Sequence, residues 1–312
     1  MPHHHHSTPT EMNHRFQLAI LLNLAFVAIE AYFGWVANSL ALLADAGHNL
    51  SDVAGLLLAW LGVWATSWKA NQRHTYGWQK LSIMASLLNA ILLIAAMGYL
   101  VYEAVTRLGH SHELQGETIV WVALVGIVIN ALTAWLFLKD SHSDLNMRAA
   151  FLHMSADALV SLGVVISGLL VLWLGWTWID TVMSLVIAGV VVAATWSVFT
   201  QSLHLSFDGV PAHIPYKVVE QQLLTLPGVI AVHNLHIWAM STHSNALSAH
   251  LVVDETACHD EILTQARHRL KEEFDLTQTT LQLESAHYAE HCQTQAMLTE
   301  THAEHHHHHH AH

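Results

Sequence analysis

Six long apolar segments fill the first two thirds of the chain and decide what it can fold into. They span roughly residues 16–38, 40–66, 80–106, 117–138, 148–174 and 177–203. A helix needs about 20 apolar residues to cross the ~30 Å hydrocarbon core of a bilayer, and each segment is long enough to do so. The joints between them are short and either polar or glycine-rich. The pattern predicts six transmembrane helices and excludes a single soluble core.

The remainder of the chain has a different composition. Of all 312 residues, 53% are hydrophobic and 11% are charged, whereas charged residues make up about 25% of an average soluble domain. The part after residue 203 carries four Lys or Arg against thirteen Asp or Glu. This acidic balance excludes a basic nucleic-acid-binding protein. We therefore predict a membrane protein, embedded in a lipid bilayer, with an acidic soluble domain at its C-terminal end.

Basic residues near the ends of the segments predict the orientation in the membrane, because cytoplasmic loops carry an excess of Lys and Arg. One side of the predicted bundle has Arg107, and the other has six basic residues: Arg15, Lys69, Arg73, Lys80, Lys139 and Arg148. The N-terminus also lacks the basic-then-apolar pattern of a signal peptide. We predict a multi-pass protein of the cell (inner) membrane with both termini in the cytoplasm.

The soluble part shows the order helix, strand, strand, helix, strand. The predicted elements span residues 218–226, 229–240, 246–253, 261–274 and 279–284. Period-two alternation predicts the strands, and helical spacing of apolar residues predicts the helices. This order indicates a small α+β domain of the ferredoxin-like type.

These features predict four regions along the chain. Residues 1–15 form a histidine-containing cytoplasmic segment, 16–204 the six-helix transport domain, 205–288 the cytoplasmic ferredoxin-like domain, and 289–312 a disordered tail. The histidine run at 305–310 is typical of a purification tag. The run at 3–6 is either another added sequence or a native tract that holds metal loosely.

Ionisable residues inside two of the apolar segments carry the strongest functional signal. The second segment contains His48 and Asp52, and the fifth contains His153 and Asp157. A spacing of four places each pair on one helix face, and buried ionisable groups in a membrane indicate function by default. Two imidazoles and two carboxylates suit tetrahedral Zn²⁺, whereas all-oxygen ligands would suit Mg²⁺ or Ca²⁺. We predict a zinc site between these two segments.

Other polar residues in the segments have less specific interpretations. Glu30 and Asn23 share the first segment and are candidates for either a pathway or a helix contact. Asp45 lies three residues before His48 and is a candidate for lining an outward-facing cavity. Asp180 lies at the start of the sixth segment, where an interfacial position explains it.

Two other classes of protein use intramembrane or membrane-linked zinc. A metallohydrolase needs an open coordination position and a general base, and the sequence contains no His-Glu-x-x-His. A zinc sensor would bind metal without transporting it, which suits a soluble metal-binding domain but leaves the matched intramembrane pairs unexplained. Transport of metal is the property that separates a sensor from a transporter.

Residues 39–48 (SLALLADAGH) and 232–238 (VHNLHIW), together with six spans and an intracellular domain, resemble the cation diffusion facilitator family. The likeness is to its zinc-exporting, cobalt–zinc–cadmium-resistance branch and runs from about residue 15 to 285. It implies a homodimer that exchanges cytoplasmic metal for external protons by alternating access, a secondary active transporter rather than an enzyme. The family's transport site matches His48, Asp52, His153 and Asp157. Members with Asp at the first position also accept cadmium, so His48 implies a preference for zinc.

The resemblance also implies metal sites outside the membrane. The family's regulatory zinc site is similar to His233, His250 and Glu284, with His236 as a further candidate ligand. Zinc bound there would bridge two acidic domains and reduce their repulsion. A second family site, in the loop after the second span, retains only His74 here.

Overall fold

Six long helices precede a small mixed sheet domain in the computed structural model, which describes residues 14–66, 68, 70–108, 113–138 and 145–289. Within these ranges, the side chains of residues 14–20, 56, 58–63, 65–66, 136–138 and 145–153 are not described. The predictions for the N-terminal histidine run and for the tail after residue 289 lie outside the described residues.

The six long helices confirm the predicted six-segment layout. They are α1 (His14–Val36), α2 (Leu40–Thr66), α3 (Leu81–Arg107), α4 (Gly116–Leu138), α5 (Leu145–Leu174) and α6 (Trp178–Ser206). Four stretches within the described part are long and apolar enough to cross a membrane: Leu81–Arg107, Gly116–Trp135, Met154–Leu174 and Trp178–Ser206. A shorter apolar stretch, Leu21–Val36, lies in α1.

Left-handed backbone conformations separate the helices where the joints are shortest. Asn38, between α1 and α2, has a φ of 56°, and Gly175, after α5, has a φ of 68°. Asn and Gly are the residues that adopt this conformation most readily. Ser39 then caps α2, since its Oγ accepts the Leu42 N–H at 3.2 Å. Local chemistry therefore produces the sharp reversals that allow neighbouring helices to run antiparallel.

Small residues allow close packing inside the helical unit. Ala37, Ala41 and Ala44 are fully buried, and a Cβ added to Gly168 on α5 would lie 2.9 Å from Ile119 Cγ2 on α4. Large apolar side chains such as Trp121, Leu159 and Val186 are exposed. A helix bundle in lipid typically has small residues at its helix contacts and large apolar residues on its outer surface.

The soluble domain confirms the predicted α+β class. Its elements are α7 (Tyr216–Leu224), β1 (Val229–Ala239), β2 (Asn245–Val253), α8 (His259–Phe274) and β3 (Leu276–Ser285). The strand order is β1-β2-β3, with β1 and β2 antiparallel and β2 and β3 parallel. The two helices bury Val219, Leu223, Ile262, Ala266 and Leu270 in one core with the sheet. This packing fixes the register of the three strands.

The chain divides into two compact units. Of the described residues, one unit comprises those from 14 to 63 and those within 85–200, and the other comprises those within 64–84 and 201–289. Within the second unit, Lys80 forms an ion pair with Asp208, and the Thr242 N–H donates to Ser82 Oγ at 3.1 Å. The segment that joins α2 to α3 is therefore tied to the soluble domain.

Candidate metal centres

A cluster of potential metal ligands lies between α2 and α5. His48 Nε2 is 3.3 Å from Asp157 Oδ1 and 3.7 Å from Asp52 Oδ2. The three residues offer ligand atoms that all lie within 4.8 Å of one another. The side chains are 17%, 2% and 28% exposed for His48, Asp157 and Asp52. The two helices thus bring together three of the four residues that the sequence predicts for the intramembrane site.

These separations suit a single tetrahedral ion. Zinc bonds of ~2.0–2.2 Å to nitrogen and oxygen place neighbouring ligand atoms about 3.3–3.6 Å apart, close to the spacing observed around His48 Nε2. His153 lies in α5 one helical turn before Asp157, and its side chain is outside the described residues. The α5 backbone therefore places the fourth predicted residue on the same helix face as Asp157.

Two neutral donors support the carboxyl groups around this cluster, and the sequence alone did not single them out. Ser161 on α5 donates its hydroxyl to Asp45 Oδ2 at 2.9 Å, and Asn49 Nδ2 on α2 donates to Glu30 Oε2 at 3.2 Å. Ser161 follows Asp157 by four residues, and Asn49 follows Asp45 by four residues. The same helical spacing that identified the ligands was therefore a signal for these partners.

Asp180, which the sequence places at the start of the sixth segment, is buried at the N-terminus of α2, and its interfacial position stays a prediction. It is 2% exposed. Its Oδ1 accepts the Ser39 hydroxyl at 2.5 Å, and its Oδ2 accepts the Leu40 N–H at 2.8 Å. Asp180 thus satisfies the N-terminus of α2, the helix that carries His48 and Asp52, because the first backbone N–H groups of a helix have no partner inside it.

A second ligand cluster lies on the sheet of the soluble domain. Glu284 Oε2 is 2.9 Å from His233 Nε2, and Glu284 Oε1 is 2.8 Å from His250 Nδ1. The three residues form a group whose ligand atoms lie within 4.8 Å of one another. Gln282 Nε2 also donates to Glu284 Oε1 at 2.8 Å. Two imidazoles and one carboxylate are suitable ligands for Zn²⁺.

An irregularity in β1 follows His233. His233 pairs with His250 and His236 pairs with Ser248, so two residues of β1 lie opposite one residue of β2 between these pairs. Asn234, inside the irregular stretch, has a φ of 48°. A β-bulge of this kind re-aims side chains along the strand. The predicted trio comes together, whereas His236 is outside the ligand group that the described residues form.

The structure does not bring His74 into either cluster. Its ring stacks on Trp78 with a centroid distance of 4.3 Å, and its backbone N–H donates to Asn71 Oδ1 at 2.8 Å. His74 is exposed in the segment between α2 and α3. The Asn71 side chain thus caps this loop. A metal-binding role for His74 stays a prediction, since His74 belongs to neither ligand group that the described residues form.

Family models match nearly the whole described chain. The cation efflux transmembrane domain matches residues 16–205, and the cation efflux protein cytoplasmic domain matches residues 211–286. The chain is also 36% identical to the metal-bound C-terminal domain of the CzcD transporter from Cupriavidus metallidurans, with 23% of this chain and 99% of that chain covered at a TM-score of 0.22.

Full-length relatives are similar along most of their sequences. The chain is 32% identical over 273 residues to a cadmium, cobalt and zinc/H(+)-K(+) antiporter of Bacillus subtilis, covering 86% of this chain and 88% of that protein. It is 32% identical over 285 residues to the metal cation efflux system protein CzcD of Cupriavidus metallidurans, covering 91% and 90%. It is 33% identical over 291 residues to the zinc transporter ZitB of Escherichia coli, covering 91% and 93%.

Proposed function

Because the chain belongs to the cation diffusion facilitator, or cation efflux, family, a family of multi-pass membrane transporters of metal ions, we propose that it exports Zn²⁺ from the cytoplasm in exchange for protons. The observation that carries this proposal is the cluster of His48, Asp52 and Asp157 between α2 and α5. With His153 as fourth ligand, the site would hold one ion in a tetrahedron.

The composition of the site suits a divalent cargo. Two carboxylates balance the +2 charge of the ion, which matters because an unpaired charge in a low-dielectric interior is costly. Two imidazoles favour zinc over Mg²⁺ or Ca²⁺, which prefer oxygen ligands. Four protein ligands would also leave no open position for a catalytic water, so the site is one for binding and release rather than for hydrolysis.

Ligand protonation provides the coupling to protons. Zinc binds the neutral imidazole and the ionised carboxylate, so zinc binding releases protons and proton uptake releases zinc. An unperturbed imidazole titrates near pH ~6.5, within reach of physiological gradients. In an alternating-access cycle, the inward-facing site takes zinc from the cytoplasm, and protons from the more acidic side displace it from the outward-facing site.

The surroundings of the site complete the proposal. The chain lies in the inner membrane with both termini in the cytoplasm, as the Lys and Arg distribution favours, and it works as a homodimer.

His233, His250 and Glu284 form a regulatory zinc site in the soluble domain, since their ligand atoms already lie together. The acidic composition of that domain makes two copies repel each other, and bound zinc reduces this repulsion. Cytoplasmic zinc would thereby strengthen the dimer.

Zinc flux into proteoliposomes, with and without an imposed pH gradient, tests the transport function. We expect gradient-dependent flux from the wild type and at least a tenfold loss from Asp157→Ala or His153→Ala, because each variant lacks one ligand of a closed site. Glu113→Ala is the matched control, since Glu113 is an exposed carboxyl before α4, and it should transport like the wild type. Normal flux in either ligand variant would contradict the site assignment. Tight zinc binding without flux in the wild type would assign the protein to zinc sensors.

A further inference from the structure

Glu30 and Asp45 form a buried carboxyl pair outside the proposed ligand set. Glu30 lies on α1 and Asp45 on α2, and both are 0% exposed. Asn49, one helical turn after Asp45 on α2, donates to Glu30 Oε2 at 3.2 Å, so Glu30 lies against the part of α2 that carries Asp45, where the two carboxyl groups interact electrostatically. Neither α1 from Leu21 onward, nor α2, nor α4 contains a Lys or Arg, so these helices offer no permanently charged cation to balance the pair, and His48 is their one titratable base. Two ionised carboxylates in such a place would be prohibitively costly.

The hydrogen bonds around the pair leave room for one proton. Asn49 donates to Glu30 Oε2, and Ser161 donates to Asp45 Oδ2. Glu30 Oε1 and Asp45 Oδ1 are buried and receive no donor from the residues that the structure describes. Ionised carboxylates are acceptors only, so a hydrogen bond between the two groups requires that one of them is protonated. Two carboxyl groups that share a buried site do not both ionise unless a nearby positive charge balances them.

The titratable groups near the pair lie on α2 and α5. Asp45 interacts electrostatically with His48 and Asp157, two of the proposed zinc ligands. On α5, which contacts α1 where Asn23 donates to Met154 Sδ at 4.0 Å, His153 and Asp157 are the titratable residues near this level. On α4, which also packs on α1, residues 118–138 include no ionisable side chain. Asp45 lies one helical turn before His48 on α2, and Ser161, which donates to Asp45, lies one turn after Asp157 on α5, so an ion in the ligand cluster acts electrostatically on the pair.

We propose that Glu30 and Asp45 form a second proton-binding site, separate from the metal ligands, that gives up its proton when a divalent cation occupies the His48 and Asp157 cluster. This inference rests on the proposed transport function. A +2 charge near Asp45 favours the doubly ionised pair, whereas departure of the ion favours the protonated pair. One proton is shared between the two carboxyl groups and leaves as the ion enters. The pair thus adds to the protons exchanged for each metal ion.

Proton release on zinc binding tests this site. Full-length protein in detergent, weakly buffered with a pH-indicator dye, is titrated with zinc, and the protons released per zinc bound are compared with those of Glu30→Gln. The Gln amide replaces the O–H as a donor to Asp45 but has no proton to release. We expect zinc binding to be retained with up to one proton fewer per ion. The zinc affinity should then depend less steeply on pH, by up to about tenfold per pH unit. The control is Glu113→Gln, which removes an exposed carboxyl and should release as many protons per zinc ion as the wild type.

Infrared difference spectra of the wild type provide a second readout that does not depend on the folding of a variant. The wild type without zinc should show the carbonyl band of a protonated carboxylic acid, which disappears when zinc binds and is missing in Glu30→Gln. The proposal is overturned if Glu30→Gln releases as many protons per zinc ion as the wild type, or if the wild type has no zinc-sensitive carbonyl band. It is also overturned if zinc binding to the wild type releases K⁺ in place of this proton. If Asp157→Ala binds zinc and transports it normally, the transport proposal fails instead, and the two failures are distinguishable.

Discussion

Asp180 shows how one side chain outside the ligand cluster can position it. Its two carboxyl oxygens accept the Ser39 hydroxyl and the Leu40 N–H at the start of α2. Nearby, Arg107 Nη1 donates to the Asn38 carbonyl at 2.8 Å, which fixes the same turn from the side of α3. His48 and Asp52 lie two and three turns further along α2. The angle at which this helix begins therefore helps to decide where the two ligands meet Asp157.

Asp180→Ala should destabilise the helical unit. The substitution leaves the Leu40 N–H and the Ser39 hydroxyl without their acceptor in a buried place, and an unsatisfied buried donor costs about 1–3 kcal/mol. We expect a lower unfolding temperature in detergent, with Asp180→Asn intermediate because its amide oxygen still accepts one of the two bonds. Glu113→Ala, which removes an exposed carboxyl, should change little. If Asp180→Ala unfolds at the same temperature as the wild type, the hydrogen bonds of Asp180 to the start of α2 do not contribute to stability.

At the scale of whole elements, α4 and α5 pack more closely than ordinary side chains allow. A Cβ on Gly168 would approach Ile119 Cγ2 and Val120 Cγ2 to 2.9 Å each, and a Cβ on Gly116 would lie 3.0 Å from the Leu172 backbone nitrogen. Since α5 carries Asp157 and the backbone of His153, this contact sets the position of half of the predicted transport site.

Gly168→Ala should push α4 and α5 apart and destabilise the protein by about 1–3 kcal/mol, as overpacking of a well-packed core does. Gly189→Ala on α6 is the matched control, because its Cβ meets nothing within 4 Å among the described residues. Alanine is the better helix former by up to ~1 kcal/mol, so this control should be neutral or slightly stabilising. The check is the thermal unfolding of both variants in one detergent. Equal unfolding temperatures would mean that the helix contact yields at no cost.

The length of apolar segments and the chemistry of the joints predicted the helices well, because crossing a bilayer demands a fixed length and sharp reversals demand residues such as Asn38 and Gly175. The spacing of His48 and Asp52 on one helix likewise predicted a shared face. Contacts between side chains on different helices were harder to predict from the sequence. Glu30 meets Asp45 only through the rotation of α1 against α2, and the bulge at Asn234 re-aims β1 without any apolar signal. Such features depend on packing, which local periodicity does not encode.

At the scale of the whole molecule, the described residues form one ligand cluster in each of the two units. Ligands that bind the native state stabilise it according to their concentration relative to Kd, so zinc should stabilise each unit through its own cluster. The soluble cluster is linked to the sheet core, because Glu284 is 3% exposed and lies on β3 beside β2. The helical cluster depends on α2 and α5 instead. Zinc removal should therefore reduce the protection from hydrogen exchange of two different sets of backbone amides, one in each unit.

Hydrogen exchange with and without a zinc chelator tests whether the two clusters act separately. At a free zinc concentration of 100 times Kd, each unit gains about 2.7 kcal/mol, which slows exchange through unfolding of that unit by about 100-fold. We expect Asp157→Ala to lose this protection in α2 and α5 and to keep it in β1 to β3, and His250→Ala to show the reverse. His236→Ala is the control for the soluble domain, because His236 shares strand β1 with His233 but is not part of the ligand group. Loss of sheet protection in His236→Ala as large as in His250→Ala would contradict the assignment of the soluble cluster.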